Sequence, residues 1–157
     1  MSGTMKKRFD YYNYKNTKEF GRLSEKERSI LEMKFQYNYS YKEIAEKFDL
    51  KSAMRIKQIV DGAIEEVERL FKAREYSDVL DIPVEYSTMP KRIRNHASYV
   101  ITNYYKREKV YYTLKDLKYL IESGTIYNVR NIGEKAIQEA IIVFAEDYGI
   151  QVNIKEM

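Results

Sequence analysis

The sequence predicts an all-α protein built from two small helical modules. Two observations support this class: apolar residues recur with the 3.6-residue period of a helix, and several of the periodic stretches begin at a capping pattern. A third observation is the position of the two prolines, Pro83 and Pro90, beside a stretch that lacks periodicity. Because proline disfavours helix interiors, we place a linker between the modules at residues 75–88.

The first module is predicted over residues 23–74 and contains three helices. Ser24 and Glu27 form a capping-box pattern that opens the first helix. A short second helix is predicted over Tyr41–Phe48, and a tight turn then leads to a third helix that Ser52 can cap. The apolar positions that keep the period of the third helix are Ile56, Ile59, Ala63, Val67 and Leu70.

The second module is predicted over residues 89–150, with a tail at 151–157. Its first helix runs from about Lys91 to Tyr105, and a second helix opens at the capping pattern Thr113–Asp116 and stops at Gly124. After a short helical turn around residues 126–129, a last helix runs to Gly149. Residues 149–154 are the one stretch whose pattern also fits a short edge strand.

Composition excludes many classes of function. The chain of 157 residues has no cysteine and a single histidine, His96, so thiolate metal sites and the common nucleophile–histidine catalytic pairs are excluded. We therefore expect no enzyme activity, no metal and no cofactor. No apolar run approaches the roughly 20 residues that cross a bilayer, and the start lacks a signal-peptide pattern. We expect a cytoplasmic protein without membrane contact.

The net charge of +4 is concentrated at the start of the chain. Residues 1–22 contain six basic and two acidic side chains, interleaved with tyrosines, and the remaining chain is balanced. We interpret residues 1–22 as a flexible basic arm that contacts phosphates, since such charges bind nucleic acids by counterion release. A solubilising, disordered terminus is the alternative interpretation.

The three helices of the first module follow the plan of a helix-turn-helix, in which the last helix enters the major groove of DNA. The sequence of this module resembles region 4 of bacterial sigma factors over Leu23 to about Phe71. The segments that carry the resemblance are LSEKERSILEMKF, YKEIAEKFDL and RIKQIVDGAIEEVERL. The resemblance implies DNA binding, with Arg55, Lys57 and Gln58 on the side that faces the groove. A small helical bundle whose basic residues are merely solvated is the alternative.

The turn before the recognition helix is one residue longer than the family pattern. The positions that usually read bases are consequently occupied by Ala53 and Met54. Both residues lack hydrogen-bonding side chains, so the resemblance does not imply recognition of an ordinary promoter element.

The second module resembles the C-terminal domain of the RNA polymerase alpha subunit, over about residues 86–150. Two stretches carry the resemblance: Arg92-Ile-Arg-Asn95, which opens a helix, and Val129-Arg-Asn-Ile-Gly-Glu-Lys, which leads into the last helix. The family uses a helix-hairpin-helix that binds the minor groove of A/T-rich DNA. A glycine at a helix start lets the first amides approach a phosphate closely.

Residue by residue, this second resemblance implies two sets of contacts. Arg92 and Asn95 match positions at the minor groove, where a narrow A/T-rich groove attracts arginine. Asn131, Gly133 and Lys135 match the hairpin positions that hold the DNA backbone. Glu134 and Ala136 depart from the family pattern by removing one positive charge and one hydroxyl donor.

Together the two resemblances predict a DNA-binding transcription regulator that acts at or near promoters with RNA polymerase. Nothing in the sequence resembles the sigma segment that melts the start site, so we expect no promoter-melting activity. An alternative is an adaptor that binds RNA polymerase or a sigma factor and has little DNA affinity of its own. A third possibility, an enzyme or repair accessory, lacks a visible carboxylate cluster, phosphate loop or activated nucleophile.

Overall fold

A computed structural model of the protein describes residues 9–50, 52–96, 99–100, 112–129 and 132–154. These residues form helices, turns and irregular segments, and the ranges just given contain no strand beyond an isolated bridge between Pro83 and Thr113. The predicted all-α class is therefore confirmed. Residues 149–154 also fitted the pattern of a short edge strand. In the structure they begin at Gly149, the C-cap of the last helix, and continue as irregular backbone.

The chain divides after Arg69 into two compact units, which we call the front unit and the rear unit. The described α-helices, in chain order, are α1 (Tyr11–Tyr14), α2 (Lys18–Gly21), α3 (Glu25–Phe35), α4 (Tyr41–Lys47), α5 (Ala53–Lys72), α6 (Lys91–Asn95), α7 (Leu114–Glu122) and α8 (Glu134–Tyr148). None of the helices in the described ranges is long and apolar enough to cross a bilayer.

The core of the front unit is formed by the inner faces of α3, α4 and α5. Ile30, Ile44 and Ile56, one from each helix, are completely buried. Along α5 the buried positions continue at Val60, Ala63 and Val67, which recur every three or four residues and so lie on one face. This apolar stripe is the buried face of α5, and the opposite face of the helix is exposed to solvent.

Polar caps fix the ends of these helices. Ser24 and Glu27 exchange hydrogen bonds at the start of α3, as predicted, at 3.0 and 3.1 Å. Between α4 and α5, Asp49 adopts a left-handed φ of 54°, a conformation that aspartate tolerates better than most residues, and the Leu50 amide donates to the Ala45 carbonyl. Ser52 Oγ then accepts from the Arg55 amide, which confirms Ser52 as the predicted cap.

A further capping box, which the sequence reading missed, opens α4. Ser40 Oγ accepts from the Glu43 amide, and a Glu43 carboxylate oxygen accepts from the Ser40 amide, both at 3.1 Å. The hydrogen bond that the Ser40 backbone amide donates, followed by the hydrogen bond of the Ser40 side chain, lowers the pKa of Glu43. A carboxyl group whose pKa is lowered by folding stabilises the fold above its unfolded pKa, and that contribution is lost as the pH falls through the folded pKa.

Ser40→Ala is expected to raise the pKa of Glu43 part of the way toward its ordinary value of 4.5, because the hydrogen bond of the Ser40 side chain is lost while the backbone amide still donates. An NMR pH titration of the Glu43 carboxyl carbon measures the change, with Ser24→Ala as a matched control that breaks the equivalent box of α3. An unchanged Glu43 titration in Ser40→Ala would contradict the contribution of the Ser40 side chain to the lowered pKa.

The predicted flexible arm is wrong for its described part, residues 9–22. Phe9, Tyr11 and Phe20 are buried, and the Phe9 ring packs edge-on against Phe35 of α3 with centroids 5.4 Å apart. Burial, followed by the nearby negative charge of Glu32, raises the pKa of Tyr11. Phe9, Tyr11 and Phe20 therefore complete the front core, and α1 and α2 are part of the folded unit.

The rear unit has its own apolar core around α6, α7 and α8. Ile93 of α6, Leu117 of α7, and Ile137 and Phe144 of α8 all belong to this core. The predicted capping pattern of α7 is confirmed: Asp116 accepts from the Thr113 amide and hydroxyl, and the Asp116 amide donates back to Thr113. The predicted helix stop at Gly124 and the predicted end of the last helix at Gly149 coincide with left-handed φ values of 77° and 64°.

The predicted linker at residues 75–88 is instead packed into the rear unit. Ile82 and Val84 are buried core residues, and the Val84 amide donates to the Tyr112 carbonyl at 2.7 Å. The Leu114 amide donates in turn to the Ile82 carbonyl at 2.9 Å. Proline marks an interruption of helix here, but the interrupted segment forms short 3-10 turns over Val79–Asp81 and Val84–Tyr86 and contributes to the core.

Candidate nucleic-acid interface

The first two turns of α5 present the residues expected to face DNA. Arg55, Lys57 and Gln58 are all exposed, whereas Ile56, which lies among them in the sequence, is buried. Ile59, predicted to face the core, is only partly buried. The capped helix start and the buried stripe thus fix the position of three side chains that can donate to phosphate or base edges.

Ala53 and Met54 occupy the exposed start of the same helix. The Met54 side chain is 61% exposed, an unusual position for a large apolar residue. Without hydrogen-bonding groups these two residues can make only apolar contacts in a groove, such as with the methyl group of thymine. This part of α5 is therefore suited to van der Waals contact, while the polar contacts fall on the next turn.

The charge of α5 changes sign along its exposed side. Arg55 and Lys57 lie in the first two turns, and Asp61, Glu65 and Glu68 follow. The Lys57 ammonium forms a salt bridge with Asp61, with Nζ and Oδ2 2.8 Å apart and both side chains about half exposed. The hydrogen bond to Asp61, then the charge of that carboxylate, raises the pKa of Lys57. The beginning of this face is thus attractive to an anionic partner, whereas the carboxylates that follow it are not.

Additional basic residues, which the sequence reading missed, lie in the same unit. The Lys34 ammonium of α3 lies 4.2 Å from the ring centroid of Tyr41, and Lys47 of α4 lies over Tyr39 at 5.1 Å. Asp61 is the main cause of the raised pKa of Lys57, and Tyr41 of α4 makes a weaker contribution in the same direction. No local pattern in the sequence signals these pairs, because they join residues of different elements.

The remaining residues predicted to contact DNA belong to the second module. One of them, Asn131, lies outside the described residues, and the others lie in the rear unit. Arg92 and Asn95 are exposed on α6, and Lys135 is exposed in the first turn of α8. The helices that carry them pack together, with Ile93 and Ile137 in one core. The Arg92 carbonyl oxygen lies 2.7 Å from Nδ1 of His96, which fits a structural role for this histidine.

Gly133 is the N-cap residue of α8 and makes no side-chain cap. Its φ of −89° is accessible to any residue, and an added Cβ would meet no atom within 4 Å. The fold itself therefore does not require glycine at this position. The sequence suggested that Gly133 allows a ligand to approach the start of α8 closely. This close approach remains a prediction.

Comparison with protein families gives a match for the front unit. Residues 20–68 match the family model for Sigma-70, region 4. The matched segment begins within α2 and covers α3, α4 and most of α5. It is just under a third of the chain, and the curated proteins and the solved structures contain no match.

The match confirms the resemblance of the front segment to sigma region 4, a DNA-binding helix-turn-helix domain of sigma factors and regulators. It supports a DNA-binding role related to transcription. The rear unit lies outside the matched residues, so its resemblance to the C-terminal domain of the RNA polymerase alpha subunit stays a prediction.

Proposed function

We propose that this protein is a transcription regulator that binds duplex DNA through the first two turns of α5, at or near promoters and together with RNA polymerase. The observation that carries the proposal is the coincidence of the region 4 match with an exposed, basic beginning of α5. In this arrangement α5 lies in the major groove, and the helix before it crosses the sugar-phosphate backbone.

The distribution of charge defines how α5 would enter the groove. Arg55 and Lys57 lie where phosphates and guanine acceptors are within reach, and Gln58 can bond adenine or phosphate. Glu65 and Glu68 lie on later turns of the helix and would repel phosphates. Contact is therefore confined to the start of the helix, which fixes its depth and direction in the groove.

Fluorescence anisotropy with a labelled duplex, at a series of salt concentrations, tests the proposal. Each phosphate neutralised by a lysine or arginine adds about −0.9 to the slope of log K against log salt, so three or more contacts predict a slope steeper than about −2.5. Binding to RNA polymerase or to a sigma factor, with no anisotropy change on any duplex at low salt, would favour the adaptor alternative and contradict DNA binding.

We propose a second contact of the rear unit with A/T-rich DNA, in which Arg92 and Asn95 lie at the minor groove. Asn131, Gly133 and Lys135 would hold the DNA backbone. The exposure of Arg92 and Asn95 on one short helix supports it, since an arginine that enters a narrow minor groove must project from the surface.

Arg92→Ala is expected to weaken binding to an A/T-rich duplex by about 1–3 kcal/mol, and to affect a G/C-rich duplex less. Lys91→Ala is the matched control, because it removes the same charge from the adjacent, differently oriented position of α6. Equal losses for the two variants on both duplexes would show only a general effect of charge and would contradict the minor-groove assignment.

A further inference from the structure

Asp61 lies just after the basic beginning of α5, and its carboxylate is bonded to a residue of the proposed interface. Its Oδ2 lies 2.8 Å from Nζ of Lys57, and both side chains are about half exposed. The two residues are four positions apart, so they stand about 6 Å apart along the helix axis on one face. A DNA group that contacts Lys57 therefore also lies close to Asp61.

A phosphate and a base edge satisfy this pair differently. A phosphate accepts from Lys57 but repels Asp61, and it must compete with the carboxylate for the ammonium group. A major-groove edge can satisfy both: guanine O6 and N7 accept from lysine, and the amino group of cytosine donates to a carboxylate. An unpaired or repelled charge at an interface costs affinity, whereas two satisfied charges do not.

We propose that Asp61 is a specificity-determining residue, which lowers affinity for DNA in general and retains it for sites that offer an amino donor beside a guanine. The proposal rests on the DNA binding proposed for α5. The lowered affinity has two sources, the competition of Asp61 for Lys57 and the repulsion of Asp61 by phosphates. Because an exposed ion pair is weak, the effect on general affinity is modest, and the effect on discrimination is the larger one.

The test compares Asp61→Asn with the wild-type protein on a random-sequence duplex and on a duplex selected by the wild type from a random pool. Asp61→Asn is expected to bind the random duplex about three- to tenfold more tightly at low salt, with a salt slope steeper by about 1. The preference of Asp61→Asn for the selected duplex is expected to fall. When the selection is repeated with this variant, the preference for cytosine at one position of the bound sequences is expected to be lost.

Two further variants separate the pair from net charge. Glu65→Gln changes the charge by the same amount one turn further along the same face, and it is expected to have a smaller effect on random-duplex affinity. In a Lys57→Ala background, Asp61→Asn is expected to lose part of its effect, since the competition for the ammonium group is already gone.

The outcomes distinguish this inference from the proposed function. If the wild type binds DNA, and Asp61→Asn has the same affinity, salt slope and preference for the selected duplex, the role of Asp61 is overturned but the proposed function is not. Equal gains in Asp61→Asn and Glu65→Gln, with preference retained, would also overturn it in favour of a general charge effect. If neither the wild type nor Asp61→Asn binds any duplex, the proposed function fails and this inference fails with it.

Discussion

Phe144→Ala is expected to lower the free energy of unfolding of the rear unit by about 3–5 kcal/mol. Phe144 is completely buried in α8, inside the core that also holds Ile93 and Leu117. Removal of the ring loses its burial and leaves a cavity, and small domains have only about 5–15 kcal/mol of stability in total. Urea denaturation followed by circular dichroism measures the loss.

Ile142→Ala is the matched control for that substitution. Ile142 lies on the same helix but is 52% exposed, so we expect a change within about 0.5 kcal/mol. Hydrogen exchange should show that the loss of protection in Phe144→Ala is concentrated in α6, α7 and α8. A loss of less than about 1 kcal/mol, or equal losses for the two variants, would contradict the assigned core.

The second large effect is expected on DNA binding. A protein with both Arg55→Ala and Lys57→Ala should lose about 2–4 kcal/mol of duplex affinity, and its salt slope should become less steep by about 2. Both side chains are exposed, so the fold should be retained. Anisotropy titration at several salt concentrations gives the affinity and the slope together.

The matched control for this double variant removes two equivalent charges from α3. Lys26 and Arg28 are exposed there, so Lys26→Ala with Arg28→Ala changes net charge equally without altering α5. We expect a loss of less than about 1 kcal/mol in this control. Similar losses in both double variants would indicate long-range attraction to DNA and would contradict a contact localised on α5.

Local patterns predicted the helices well because their signals are local. The box of Ser24 and Glu27, the cap at Ser52, the box of Thr113 and Asp116, and the glycine stops all depend on residues within a few positions of one another. The box at Ser40 has the same spacing and could have been found.

Long-range packing could not be predicted from such patterns. Tyr11 and Phe20 lie in a basic, tyrosine-rich stretch that suggests an exposed arm, yet they are buried. Ile82 and Val84 follow no helical period, because they enter the rear core from short 3-10 turns and irregular backbone. In both cases a partner distant in sequence determines burial, and periodicity carries no information about that partner.

The same distinction applies to the interface. The exposure of Arg55, Lys57 and Gln58 follows from the helical period, since the buried stripe fixes the opposite face. The pairing of Lys57 with Asp61 has the four-residue spacing of helical ion pairs and was also within reach of sequence reasoning. The contact of Lys34 with Tyr41 depends on how α3 and α4 pack, so only the structure reveals it.

An NMR titration of the isotope-labelled protein with a short duplex would show whether DNA contacts the beginning of α5. We predict that the largest amide shift changes fall on residues 52–61, with small changes over residues 65–72. Shift changes absent from residues 52–61, or confined to the later, acidic part of the helix, would contradict the proposed contact.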